Sequence, residues 1–120
     1  PILTLHLTLC DENPHVRMDT SLFEQVLVNI IKNAAESIGE EGNIFIRTSV
    51  FPTMLEIADT GAGISKEVEA KLFSPFFSTK PNGQGIGLIF IREVLMKHGC
   101  TFSLRTYSDG LTRFRIRFSA

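Results

Sequence analysis

Three short stretches of this sequence combine polar side chains and glycines at spacings that could support chemistry. In the first stretch, Asn29, Asn33 and Glu36 recur at i, i+4 and i+7, which puts them on one side of a helix. An amide oxygen is a neutral, hard donor of the kind that Mg²⁺ accepts beside water and phosphate oxygens. An ordinary solvated helix face has the same spacing, and the spacing alone does not decide between the two.

The second stretch is Asp59-Thr60-Gly61-Ala62-Gly63, at the end of a predicted strand. A carboxylate at this point can accept a hydrogen bond from a purine amino group, and the two glycines allow the backbone to approach a ring closely. Guanine has a carbonyl where adenine has that amino group, so the carboxylate favours adenine. A glycine turn capped by Asp59 is an equally good interpretation of the isolated motif.

The third stretch is Gly83-Gln84-Gly85-Ile86-Gly87-Leu88, which leads into a predicted helix. Unpaired N–H groups at a helix start, together with the helix dipole, bind phosphate. The stretch lacks the Gly-Lys-Ser/Thr of a P-loop and the βαβ context of a dinucleotide-binding fingerprint. The alternative is a flexible lid hinge. Lys80, just upstream, either reaches a phosphate or is simply solvated.

Hydrophobic periodicity and breaker residues predict the elements that position these stretches. The helices are expected over residues 19–38 with Gly39 as the stop, 65–71 and 85–98. The strands are expected over residues 3–9 (half-buried), 43–51, 54–58, 101–107 and 111–118, the last two forming a hairpin across Ser108-Asp109-Gly110. The sum is an α+β, two-layer sandwich, in which three helices cover one face of a mixed, mostly antiparallel sheet of about five strands.

Composition limits the possible functions. The 120 residues, 43% of them hydrophobic, can bury one core, so we expect one domain over residues 1–120. The net charge of -1, without long single-sign runs, gives no electrostatic case for a nucleic acid or for direct membrane contact. No apolar stretch is long enough to span a bilayer. Cys10 and Cys100 lack a CxxC spacing, which favours reduced structural thiols in a cytoplasmic domain over zinc ligands.

The order of the motifs carries more information than any one of them. An Asn-rich helix, a strand ending in DxGxG, a Phe-rich block over residues 72–80 and a GxGxGL helix start follow one another. This order resembles the N, G1, F and G2 boxes of the ATP-binding domain of sensor histidine kinases. That family belongs to the GHKL superfamily, which it shares with the gyrase B subunit, the MutL repair protein and a heat-shock chaperone. The short 81–85 segment is similar to the lid of the nitrogen-regulation sensor kinases.

The resemblance implies ATP and Mg²⁺ as ligands and assigns a role to each motif residue. Asn33 is expected to ligate Mg²⁺ with Asn29 beside it, and Asp59 is expected to read adenine. The other implied nucleotide contacts are Gly61, Gly63 and Ile64 at the base, Lys80, Gly83, Gly85, Gly87 and Leu88 around the phosphates, and Thr112, which supports Asp59 through water. Glu36 stands where many relatives carry a basic residue, which leaves Lys32 and Lys80 as candidate phosphate contacts.

The same resemblance implies a reaction. The hydrolysing branch of the superfamily has a Glu one turn before the metal-binding Asn, whereas Asn29 cannot act as a general base here. We therefore expect slow ATP hydrolysis and transfer of the γ-phosphoryl group to a protein. None of the three histidines, His6, His15 and His98, has the context of the phosphoacceptor. The acceptor is expected on dimerisation helices N-terminal to residue 1.

The implied partners are the phosphoacceptor helical domain of the same protein and a downstream response regulator. We expect the isolated domain to be a monomer in the cytoplasm and the full-length protein to be a homodimer, with or without a membrane anchor. Two alternatives stay open. One is a nucleotide-binding regulatory module without kinase activity, and the other is a Ser-directed kinase of the same superfamily.

Overall fold

The fold is a five-stranded mixed sheet with helices packed against it. The computed structural model describes residues 2–12, 15–72 and 86–118. Its elements are β1 (Ile2–Thr8), α1 (Thr20–Ile38), β2 (Glu41–Ser49), β3 (Met54–Asp59), α2 (Lys66–Glu69), α3 (Ile86–Lys97), β4 (Thr101–Thr106) and β5 (Thr112–Arg117). The strand order is β1-β2-β3-β5-β4, with β1 parallel to β2 and the other described pairs antiparallel. The predicted α+β class is confirmed.

Local signals set the ends of α1 where the sequence predicts them. The Asp19 side chain caps the helix by accepting a hydrogen bond from the Leu22 amide at 3.0 Å. Gly39 ends it at a φ of 82°, and its N–H donates to the Ala35 carbonyl. The helix buries Val26 and its neighbours one and two turns on, so its polar residues remain on the flanks of this stripe.

The core lies between the sheet and the pair α1 and α3. Alternate residues of the central strands, among them Ile57 and Phe114, pack against Ile30 and Leu95 of the helices. The short helix α2 lies against β4. None of the helices in the described ranges is long and apolar enough to cross a membrane.

The burial predicted for β1 is wrong. The strand is present, but Leu5, Leu7 and Leu9 are 56%, 65% and 63% exposed. The alternation of apolar and polar residues predicts the strand correctly, whereas burial depends on which strands the helices cover. Helix α1 packs on β2 and β3, and β1 lies at the edge of the sheet beyond them.

Candidate functional site

Asp59 is a buried carboxylate at the end of β3. Its side chain shares the helix-facing side of the strand with Ile57, and the residue is only 6% exposed. The Gly61 amide donates to its Oδ1 at 2.8 Å and is the only donor to this carboxylate within the described ranges. Burial raises the pKa of the Asp59 carboxyl, and the Gly61 hydrogen bond opposes part of that rise. The carboxylate therefore keeps acceptor capacity that the described residues do not use.

The loop after Asp59, residues 60–64, is held at both of its neighbouring elements, and we call it the β3–α2 loop. Thr60 exchanges hydrogen bonds with Asn43 of β2: its amide donates to the Asn43 carbonyl at 3.2 Å, and its Oγ1 accepts from the Asn43 amide at 3.0 Å. The Ala62 amide donates to both the carbonyl (3.2 Å) and the Oγ (3.1 Å) of Ser37 in α1. The loop is thus fixed by the chain itself.

The two glycines of this loop are required for different reasons. A Cβ on Gly61 would lie 2.8 Å from Asp59 Oδ1 and 2.8 Å from the Ser37 carbonyl carbon, and it would also collide with Ser37 Oγ. Gly63 has a φ of 83°, which L side chains rarely adopt, and its Cβ would lie 3.3 Å from Thr106 Oγ1. The backbone therefore approaches Asp59 and Thr106 more closely than other residues would permit.

A row of polar side chains crosses the sheet beside this loop. Asp59 is paired with Thr112 of β5, and Thr112 is paired with Thr106 of β4. The two threonine hydroxyls are 2.8 Å apart, and Thr106 Oγ1 accepts from the Ile64 amide at 2.7 Å. Thr112, 4% exposed, therefore lies beside Asp59 as the sequence reasoning requires.

Sequence reasoning missed Thr106. A signal for it exists in β4, where Phe102 and Leu104 alternate towards the helices and a threonine takes the next position on that face. A polar residue in this register departs from the apolar pattern, and this departure is the signal that the sequence offers.

Helix α1 brings its polar flank towards the β3–α2 loop. Asn29 and Asn33 are half-buried and lie one turn apart, and Ser37, one further turn along, contacts the loop. The predicted side of α1 and the predicted loop thus belong to one region. No group of three or more His, Cys, Asp or Glu residues suited to a metal occurs in the described part of the chain.

The third motif is described only from α3 onward. Gly87 lies in the first turn of α3, and Leu88 is half-buried against the core. The predictions for Lys80, Gly83 and Gly85, and the Phe-rich block from residue 73, lie outside the described residues. They stay predictions.

Two of the histidines make contacts that belong to the fold. His6 bonds Asn43 Oδ1 at 2.9 Å through Nε2 and stacks on Phe45 with ring centroids 4.6 Å apart. His98 bonds the Val94 carbonyl through Nδ1 at 2.8 Å and accepts from the Asp19 amide at Nε2, which joins the end of α3 to the start of α1. Both imidazoles have a structural role.

Curated sensor kinases resemble this chain over most of its length. The sensor histidine kinase ZraS of Escherichia coli O157:H7 is 30% identical over 116 residues, which are 95% of this chain and 25% of ZraS. DctS of Rhodobacter capsulatus, a C4-dicarboxylate transport sensor protein, is 36% identical over 86% of this chain and 17% of its own length. The sensory histidine kinase/phosphatase NtrB of Rhodobacter capsulatus is 30% identical over 82% of this chain and 32% of its own. The chain thus spans a third or less of these relatives, and nitrogen-regulation kinases are one of several similar groups.

Solved structures and a family model agree with these relatives. The catalytic domain of the histidine kinase ThkA, in a nucleotide-free form, matches 97% of this chain with a TM-score of 0.85 and 28% identity, over 79% of that chain. The mycobacterial sensor histidine kinase MprB matches 97% of this chain with a TM-score of 0.83 and 26% identity, over 80% of that chain. The model of the histidine kinase-, DNA gyrase B-, and HSP90-like ATPases matches residues 18–120. The chain belongs to this ATPase family, as a histidine kinase ATP-binding domain of the GHKL type.

Proposed function

We propose that this domain binds Mg-ATP between α1 and the β3–α2 loop and donates the γ-phosphoryl group to a histidine on a separate helical segment. The observation that carries the proposal is the buried Asp59 carboxylate, which receives one hydrogen bond from the described chain and lies beside a loop whose two glycines let the backbone pack closely around it. A fold without a ligand has no need of that arrangement, because a buried carboxylate is costly unless it is fully paired.

The base end of the proposed site favours adenine. The acceptor capacity that the described residues leave on Asp59 matches the exocyclic amino group of adenine and opposes the carbonyl of guanine. The Ile64 side chain would pack on the ring, and Gly61 and Gly63 would allow the backbone to come close to it. A hydrogen bond made at a buried site discriminates strongly, since the wrong base leaves a buried polar group unpaired.

The phosphate end depends on the amide side chains and on α3. Asn33, with Asn29 one turn before it, would hold Mg²⁺ by an amide oxygen, while phosphate oxygens and water complete its shell. The ion would supply charge neutralisation of the polyphosphate. Gly87 lies in the first turn of α3, where helix N–H groups bind phosphate, and the predicted contacts of Lys80, Gly83 and Gly85 belong to the same proposal.

Transfer, rather than hydrolysis, follows from the residue types. Asn29 cannot take a proton from water, so the chain has no general base at the position where the hydrolysing relatives have Glu. In the proposed reaction an imidazole nitrogen attacks the γ-phosphorus, the bond to the β-phosphate oxygen breaks, and ADP leaves. Positioning and charge neutralisation supply most of the rate of such a transfer. A response regulator would then receive the phosphoryl group, within a homodimeric parent protein.

Binding and transfer can be tested separately. Calorimetric titration with ADP and Mg²⁺ should give one site per chain, and its absence would overturn the proposal. Incubation with γ-labelled ATP and a separately supplied phosphoacceptor helical segment should then label that segment with an acid-labile phosphate. An acid-stable label would indicate a Ser-directed kinase, and binding without any label would indicate a silent nucleotide-binding module. Rapid phosphate release by the domain alone would contradict the proposed role of Asn29.

A further inference from the structure

A short relay of hydrogen bonds runs from the β3–α2 loop to the position beside Asp59. The Ile64 amide donates to Thr106 Oγ1 at 2.7 Å, and Thr106 Oγ1 lies 2.8 Å from Thr112 Oγ1. A backbone amide can only donate, so the direction of the first bond is fixed. The direction of the second bond decides what Thr112 offers to its surroundings.

Either hydroxyl could donate in the second bond, and in either case one hydroxyl hydrogen is left over. Donation from Thr106 is favoured because both bonds then run in the same direction, starting from the Ile64 amide, and consecutive bonds of the same direction strengthen one another. The hydroxyl hydrogen of Thr112 is then left to donate away from Thr106.

This arrangement places a hydrogen-bond donor, the Thr112 hydroxyl, beside an acceptor, the Asp59 carboxylate. Thr112 and Asp59 are partners in the β3–β5 register and are 4% and 6% exposed. Side chains paired in this way have Cβ atoms about 5 Å apart, close enough to meet one ligand edge directly or through one water. Adenine offers an amino donor next to a ring-nitrogen acceptor, which is the complementary order. Guanine and hypoxanthine offer a carbonyl next to a ring N–H, which is the opposite order.

We propose that Thr106 is a positioning residue that sets base specificity: its hydroxyl holds Thr112 as a donor, so that the site accepts adenine and rejects 6-oxopurines. Without Thr106, the Thr112 hydroxyl can turn and accept a hydrogen bond from a ring N–H. Asp59 alone would then carry the discrimination. The inference rests on the proposed nucleotide site and adds to it a residue that does not touch the base.

A purely structural role makes a different prediction. Thr106 also holds the Ile64 amide, so its loss could loosen the β3–α2 loop and weaken every nucleotide equally. The ratio of affinities for ADP and inosine diphosphate separates the two roles, because hypoxanthine differs from adenine only at the edge in question. A loosened loop would lower both affinities and leave their ratio unchanged.

The test is a calorimetric titration of ADP and of inosine diphosphate, with Mg²⁺, into wild type, Thr106→Val and Thr106→Ser. Valine keeps the shape and removes the hydroxyl, so the ADP preference should shrink by about tenfold, the effect of about 1.4 kcal/mol. Serine keeps the hydroxyl and should retain the wild-type preference. Thr101→Val, the same change on the other face of β4, should leave both affinities unaltered.

A double-mutant cycle keeps the test decisive if either single change alters folding. Thr112→Val should shrink the preference as Thr106→Val does, and the double variant should show no further loss. Equal loss of both affinities in Thr106→Val, or failure of serine to rescue, would overturn the inference. If wild type bound neither nucleotide, the proposed function itself would fail; if it bound ADP and all variants kept the ratio, only the role of Thr106 would fail.

Discussion

Two buried carboxylates of β3 differ in how many partners the described chain supplies to them. Glu56 and Asp59 are 5% and 6% exposed, are three residues apart and point to opposite faces of the sheet. The Glu56 carboxylate is within 4 Å of three guanidinium groups, those of Arg47 (3.9 Å), Arg113 (3.5 Å) and Arg115 (2.8 Å). Asp59 receives one backbone amide from the described chain. Burial alone therefore does not distinguish the two carboxylates, whereas incomplete pairing within the described chain does, and it is the basis for proposing Asp59 as the ligand-binding one.

The surroundings of Glu56 explain why it belongs to the fold. On the face away from α1 and α3, Arg105 and Arg113 lie directly opposite each other across β4 and β5, an unfavourable pairing of like charges. The guanidinium groups of Arg113 and Arg115 also lie over the Tyr107 ring, 4.8 and 4.7 Å from its centroid. Glu56 offsets part of this positive charge, and Asp109 pairs with Arg113 as well. The partners of Glu56 are side chains of the same protein, and its carboxylate has little acceptor capacity left for a ligand.

The largest expected effect on nucleotide binding is at Asp59. Asp59→Asn should lower the affinity for Mg-ADP by at least about 100-fold, or about 2.7 kcal/mol, because an amide offers a weaker acceptor and a misplaced donor. Calorimetric titration measures the loss. Asp109→Asn, the same substitution at an exposed carboxylate of the β4–β5 turn, should bind as wild type does. An affinity of Asp59→Asn within threefold of wild type would remove Asp59 from the site.

Glu56 should show the opposite pattern. Glu56→Gln removes the carboxylate paired with Arg115 and leaves Arg113 with Asp109 alone, so it should lower the free energy of unfolding by about 2 kcal/mol, less than for fully buried pairs because Arg115 is half-exposed. Urea unfolding measures this, with Glu24→Gln on the exposed side of α1 as the matched control. The affinity of the folded variant for ADP should stay within about twofold of wild type. Reduced binding without reduced stability would reverse the assignment of the two carboxylates.

A substitution at the closely packed Gly61 should have a smaller effect on ADP affinity. Gly61→Ala forces a methyl group against Asp59 Oδ1 and Ser37, and the resulting shift should weaken ADP binding by about tenfold. Gly110→Ala is the control, because Gly110 has a φ of 86° and open space around it. That variant should lose about 1 kcal/mol of stability and no affinity. Equal ADP affinities in the two variants would show that the packing at Gly61 is irrelevant to the site.

The pH dependence gives the smallest effect. Since burial raises the pKa of Asp59, ADP binding should decline on acidification at a pH above the ordinary Asp range. The same shift adds stability below the unfolded-state pKa of Asp59, and that stability is lost as pH rises through the folded-state pKa. Asp59→Asn lacks this loss, so its melting temperature relative to wild type should rise from about pH 4 to about pH 7. A difference in melting temperature that stays constant with pH would mean that ionisation of Asp59 does not destabilise the fold.

The sequence predicts those features that are set within a few neighbouring residues. Asp19 and Gly39 define α1, and the spacing of Asp59 and its glycines identifies the loop, because capping and turn geometry are local. Burial of β1 and the partners of Glu56 depend on which elements meet, and a pattern of alternation carries no such information. For Thr106 the alternation in β4 shows only that a polar residue replaces an apolar one, and not what it contacts, since its partners lie 42 and 6 residues away in the chain.

The β3–α2 loop is tied to α1, β2 and β4 by the bonds of its own backbone. Its conformational entropy is therefore lost when the chain folds and not when a nucleotide arrives. The mono-, di- and triphosphates of adenosine should contact the same preformed loop with their base. Differences in their residence times should therefore arise from the contacts of their phosphate groups.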